Sequence, residues 1–242
     1  FLSSNCLYTY NANSSKTSRQ NETQIAKEMI EEHFGAKNYA ALVIPAGDYD
    51  HEQALIDELL QCDEVESITS LSSIEAMDGY VLTDKLTPRQ FSEMIDLDID
   101  TTKLLYSVYA AENADYSKLI TNMNDYSVPI IDMFMFVYDL KSDGYVQLDG
   151  ELGDSIDDLY AQLNTAKKQL SGENYSRMLV YMNLPVEGDE TYAFIDKVHT
   201  ITAKYYDTSY FVGDSTSCYD LATSFATDNI IVSVLSVLFV IL

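Results

Sequence analysis

Tryptophan is absent and basic residues are scarce: 14 Lys and Arg stand against 39 Asp and Glu in 242 residues, a formal charge of -25. A surface this acidic repels a phosphate backbone, which excludes nucleic acid as a partner. Segments translocated away from the cytoplasm are also poor in Lys and Arg, but acidic soluble proteins share that depletion, so charge leaves the compartment open. Histidine occurs three times, as His33, His51 and His199, without the His-Glu-x-x-His spacing that builds a zinc site. Nine glycines include no phosphate-cradling Walker A loop, and Gly213-Asp214-Ser215 lacks the second glycine of a nucleophile elbow. The three cysteines, Cys6, Cys62 and Cys218, are odd in number and have no C-x-x-C spacing, which argues against a metal knuckle or a thioredoxin-type motif and leaves one disulfide open. No catalytic residue, metal or cofactor is therefore expected, and the chain is not read as an enzyme.

Three weaker signals come to nothing. Asp96, Asp98 and Asp100 match the opening of a calcium-binding EF-hand loop, but its sixth position is Thr101 where Gly makes the turn, and its twelfth is Ser107 where a bidentate Glu belongs. These acids are better read as the start of a helix, where they complement its dipole. The adjacent Asp157 and Asp158 face different directions on a helix and read as a solvated face. The N-x-S/T matches at Asn13, Asn21 and Asn174 have the density of chance in a Ser- and Thr-rich chain.

What is present is apolar content of 47%, enough for the core of one large domain or two small ones. Nineteen tyrosines read mainly as half-buried rims of that core. Residues 1–35 read as an N-terminal linker and a helix, Glu22 to Phe34, with Ile25, Met29, Ile30 and Phe34 on one face and Gly35 closing it. Residues 36–72 read as strand, helix, strand: Tyr39 to Ala46, then a helix from Asp50 with a capping-box pattern at Asp50 and Gln53, then Val65 to Leu71. Leu55, Ile56, Leu59 and Leu60 form the buried stripe of that helix.

The same unit returns at 174–214. Asn174-Tyr175 opens the second run as Asn38-Tyr39 opens the first, Met178 to Leu184 is the strand, and a helix carries Phe194, Ile195, Val198, Ile201 and Tyr205. Tyr210 to Val212 closes it. Two β-α-β units, each too small to bury its own sheet face, predict an α+β fold of the split β-α-β, ferredoxin-like kind. Between them, 73–173 reads as a helical insert. Thr87, Pro88 and Gln90 mark one helix start, and further helices are expected over 100–112, 116–122, 125–139 and 154–170.

Both ends carry a reading of their own. Phe1 is not an initiator Met and no basic segment precedes Leu2, so the chain is read as beginning in mid-protein. Residues 215–242 read as an amphipathic helix running into a transmembrane helix, because Ile230 to Leu242 (IIVSVLSVLFVIL) has neither a polar face nor a stop signal. That run falls short of the ~20 residues of a full span and is read as a truncated one.

The stretch VGDSTSCYDLATSFATDNIIVSVLSVLFVIL, with NYSRMLVYMNLPVEGDETYAF and the AALVIP strand upstream, resembles the first extracytoplasmic loop and second transmembrane helix of MMPL-type exporters of the RND superfamily, in their clostridia-like Gram-positive form. The matching positions are Gly213 closing a strand, Tyr219, Asp220 and Leu221 in an amphipathic helix, and Asp228 and Asn229 at the bilayer surface. The resemblance implies a structural role for them and a porter domain on the extracytoplasmic face of the cell membrane. It implies as partners the remaining transmembrane helices and second extracytoplasmic loop of the same polypeptide, the membrane, and a lipid or other amphiphilic substrate. No ionisable residue follows Asn229, so proton-coupling groups are expected elsewhere. A missing partner for each sheet face predicts an exposed apolar patch or self-association. The competing reading is a membrane-anchored extracytoplasmic sensor or solute-binding module.

Overall fold

A computed structural model of the chain describes residues 38–77, 79–113, 123–145 and 151–241, with Glu22, Ile25, Ala26, Met29 and His33 as isolated helical positions. The expected helices over 22–34, apart from those positions, and over 116–122 lie outside the described residues, as do Cys6, Asn13 and Asn21. Ile25 and Met29, expected on a packed face, are exposed.

The fold is mixed α+β. The described strands are β1 (Asn38–Pro45), β2 (Val65–Thr69), β3 (Lys85–Leu86), β4 (Val128–Pro129), β5 (Tyr175–Met182) and β6 (Tyr210–Gly213). The described helices are α1 (Tyr49–Leu60), α2 (Pro88–Ile95), α3 (Ile99–Glu112), α4 (Ile130–Ser142), α5 (Glu151–Leu170), α6 (Asp189–Thr202) and α7 (Asp214–Ile241). The described residues divide into two compact units, one drawn from 38–45, 54–68 and 177–241 and the other from 46–53 and 69–176.

The first unit is organised by a four-stranded antiparallel sheet in the order β2-β5-β1-β6. β1 pairs antiparallel with β6, Leu42 opposite Phe211 and Val43 opposite Tyr210. Alternation along the strands decides which face is buried, because successive side chains point to opposite sides. Ala40, Leu42 and Ile44 of β1 and Met178, Val180 and Met182 of β5 face inward, and they form one core with Leu55, Ile56 and Leu59 of α1 and Phe194, Ile195, Val198 and Ile201 of α6. Full burial of such side chains stabilises by roughly 1.5–3 kcal/mol each, before the entropy of ordering them is counted. Tyr205, expected on the α6 stripe, lies beyond the end of that helix and packs on this core half-buried.

The opposite face of the sheet carries Tyr39, Tyr210 and Val212, all more than half exposed. The Tyr39 and Tyr181 rings meet there at 5.6 Å.

The second unit is not purely helical, as the sequence suggested. Lys85–Leu86 and Val128–Pro129 pair as a short antiparallel ribbon. The helix expected to start at Asp125 begins at Ile130, because Pro129 lies in extended backbone and Asp125 belongs to a separate 3-10 turn, Met123–Asp125. α2 starts as its sequence indicates: the Thr87 side chain accepts from the Gln90 backbone N–H, Gln90 returns its side-chain oxygen to the Thr87 N–H at 3.0 Å, and Pro88 opens the first turn. Two apolar clusters fill this unit, one around Phe91, Tyr106, Ile130 and Met133 and one around Leu71, Leu82, Ile131 and Leu163. The Tyr106 hydroxyl, deep in the first, donates to the Leu86 carbonyl at 2.8 Å.

One capping expectation is corrected. The His51 N–H donates to Asp48 Oδ1 at 3.1 Å, so Asp48 and not Asp50 supplies the cap at the start of α1. Asp50 is the second residue of the helix, in its first turn, and binds Lys85 at 2.5 Å.

Candidate functional site

Of the positions singled out by sequence, Gly213, Tyr219 and Asp220 lie where the sheet ends and α7 begins, whereas Asp228 and Asn229 lie about midway along α7. Gly213 is the last residue of β6, and a Cβ placed on it would sit 2.8 Å from Ala40 Cβ and 3.0 Å from the Tyr39 carbonyl oxygen. Glycine is required here by close approach of two strands, not by an unusual φ. Its N–H donates to Thr216 Oγ1 at 2.8 Å, and its carbonyl accepts from the Thr216 and Ser217 hydroxyls at 2.9 Å each. Strand therefore passes into helix with its backbone groups satisfied by side chains of the first helical turn.

Asn38 locks the same corner and was missed in the sequence. Its amide donates to the Leu184 and Pro185 carbonyls at 3.1 and 3.0 Å, and its side-chain oxygen accepts from Ser215 Oγ at 3.0 Å. Pro185 also accepts from the Thr191 hydroxyl at 2.8 Å. Asn38 and Ser215 are buried, so one amide joins the start of β1, the loop after β5 and the first turn of α7. The only available signal was the Asn-Tyr pair repeated at 38 and 174.

Tyr219 lies one turn further along α7. Its hydroxyl donates to Asp196 Oδ1 of α6 at 2.7 Å, and its ring meets Tyr192 edge-on at 5.6 Å. Asp220 and Asp228 are exposed, and Asn229 is in helical backbone. These positions thus divide: Gly213 and Tyr219 are built into the corner, while Asp220 and Asp228 face outward.

α7 itself is 28 residues long, with a mean hydropathy of 2.0 in its most apolar stretch and none of that stretch buried. At 1.5 Å per residue it extends about 42 Å, of which the uncharged apolar run from Ile230 to Ile241 makes up about 18 Å. Among the described residues this one helix is, by length and composition, long and apolar enough to span a membrane. From Ile230 to Ile241 every residue is exposed, on all sides of the helix. An all-round apolar surface needs lipid or a partner around it.

No group of three or more His, Cys, Asp or Glu suited to a metal occurs among the described residues. The carboxylates that resemble an EF-hand opening serve local structure. Asp96 ends α2 in a left-handed conformation with φ 52°, and Asp98 caps α3 by accepting from the Thr101 N–H at 3.0 Å. That hydrogen bond holds the Asp98 carboxyl below the ordinary range. His51 pairs with Asp48 at 2.7 Å and His199 packs edge-on against Phe211. Asp157 binds Lys141 at 2.6 Å. Cys62 and Cys218 are buried thiols.

One acid in the second unit has a different environment. Glu52, 2% exposed, sits beside Ser70 and Ser72, and burial raises its carboxyl above the ordinary glutamate range while the serine contacts pull the other way. Its Oε1 and the Ser72 hydroxyl nevertheless have no hydrogen-bond partner among the described residues. Burial likewise raises the nearby Tyr49 phenol, with Asp132 and Glu52 adding to the effect.

No family model matches this chain, and neither the curated proteins nor the solved structures searched contain a significant match.

Proposed function

We propose that the chain is the first extracytoplasmic porter domain of a proton-driven exporter of the RND/MMPL type, shaping the exit path of a lipid, drug or other amphiphile. The observation that carries this reading is the direct passage from β6 through Gly213 into α7, a helix whose exposed apolar surface suits a bilayer. Strand order supports it as well. With α1 between β1 and β2 and α6 between β5 and β6, the order β2-β5-β1-β6 is the one a split β-α-β, ferredoxin-like unit requires. The exposed Tyr39, Tyr210 and Val212 on the second sheet face suit a further domain of the same polypeptide as cover. On this reading Gly213 and Asn38 hold the porter sheet rigidly on the membrane helix, and the energy-coupling residues lie in other helices.

The test is a topology map of the complete polypeptide by cysteine labelling from either side of the membrane. Many spans, a second homologous loop and external labelling at Tyr210→Cys are expected. A protein of one or two spans, or labelling from the cytoplasmic side, would overturn the proposal.

The alternative, a membrane-anchored sensor or solute-binding module, has one observation in its favour: a cavity of about 400 Å³ in the second unit. A signalling domain on the cytoplasmic side of α7 would select it.

A further inference from the structure

The cavity lies wholly within the second unit and opens between the segment that follows β2 and helices α4 and α5. Its walls are Ile74, Leu82, Phe134, Leu159, Leu163 and Ala166, and Met77, half exposed, stands among them. Leu82 and Leu163 belong to the buried cluster beneath, so the floor is part of a packed core. Backbone hydrogen bonds tie the described residues of this wall together: Leu82 N–H donates to Ile74 O at 2.9 Å, Ala76 N–H to Tyr80 O at 2.7 Å, and Glu75 bridges to Val81. A volume of about 400 Å³ falls within the 300–1,000 Å³ typical of small-molecule sites, which are mostly apolar with a few placed polar groups.

The polar groups here are Glu75 and Gln162, and among the described residues the lining contains no Lys, Arg or His. A carboxylate at an apolar pocket attracts a cation and repels an anion, and the chain's charge of -25 acts in the same direction. Met77 adds an adaptable, polarizable side chain suited to alkyl ligands of variable shape. We infer that this cavity binds a single-chain cationic amphiphile, its alkyl tail among Ile74, Phe134, Leu159 and Ala166 and its ammonium group at Glu75. The inference does not depend on the porter reading, since it concerns a site built by the second unit alone.

The experiment uses the 242-residue chain in nanodiscs of zwitterionic lipid and a photoreactive octyl-trimethylammonium probe, with labelled peptides mapped by mass spectrometry. Saturable labelling within 74–82 and 159–166 is expected, competed by octyl-trimethylammonium at least tenfold better than by octanoate. Ala166→Trp, which fills the cavity, should abolish that labelling while leaving any label on α7 unchanged. Glu75→Gln, a milder change that leaves the walls intact, should weaken competition by the ammonium severalfold, and Glu75→Lys should reverse the preference. Label confined to α7, label that does not saturate, or equal competition by octanoate in the wild-type chain would each overturn the inference. So would a folded Ala166→Trp variant that labels like wild type. If that variant fails to fold, the Glu75→Gln result decides: unchanged ammonium competition counts against the site.

Discussion

Gly213 and Ala40 lie opposite one another across the β1 and β6 pair, close enough that a methyl group on Gly213 would reach 2.8 Å from the Ala40 Cβ. The strand that feeds α7 is held against the centre of the sheet by this contact. Gly213→Ala should therefore cost about 1–3 kcal/mol by forcing the strands apart. Ala40→Gly in the same chain should recover part of that loss, since it removes the nearest atom but leaves the Tyr39 carbonyl at 3.0 Å. Chemical denaturation of the four variants of the cycle measures the coupling. Additive single effects would rule out the contact as the cause.

Asn38 presents a second test at the same corner. Asn38→Ala removes the amide that bonds the Leu184 carbonyl and the buried Ser215 hydroxyl, while the Pro185 carbonyl keeps its bond from Thr191, so a loss of about 1–3 kcal/mol is expected. Ser215→Ala removes only one of those bonds and should cost less. Hydrogen exchange should show the first turn of α7 opening more readily in Asn38→Ala, and unchanged protection there would contradict the lock.

Glu52 sets a pH dependence whose sign follows from its burial. Its folded-state pKa is raised above the ordinary value of 4.5, so the native state holds this proton over a window in which the unfolded chain has released it. The contribution is fully present below about 4.5 and is lost as pH rises through the folded-state value. Glu52→Gln, which cannot ionise, should melt higher than wild type at pH 8, with the gap narrowing toward pH 5. The groups around it include the Ser70 and Ser72 hydroxyls and the Tyr49 phenol, whose burial-raised pKa keeps it neutral throughout this range. Parallel melting profiles for the two proteins would show that Glu52 is solvated.

Membrane association should depend on the apolar half of α7. Val234→Arg places a charge in the middle of that stretch, at about 2.5–3.5 kcal/mol by insertion scales. Partition into liposomes should fall sharply, whereas Asp220→Asn, at an exposed position before the stretch, should leave it unchanged. Flotation on a density gradient compares the three proteins.

Much of the secondary structure could be read in advance because its causes are local. The Thr87, Pro88 and Gln90 start of α2 needs only its own residues, and the stripes of α1 and α6 follow from 3.6-residue spacing except at Leu60, expected in the α1 stripe but about half exposed, and at Tyr205, beyond the end of α6. Where neighbours intervene, local signals failed. Asp50 looks like a cap but pairs with Lys85 while Asp48 takes the role, and Val128 and Pro129 look helical but pair with Lys85 and Leu86.

The sequence by itself determined the acidic surface, the repeated β-α-β spacing and the apolar helix that follows Gly213, because composition and periodicity act residue by residue. Only tertiary structure decided that Asn38 reaches Ser215, that Glu52 is buried beside two serines, and that an open cavity lies between α4 and α5. Each of these depends on groups far apart in the chain, and sequence carries no record of distance in space until packing has brought them together.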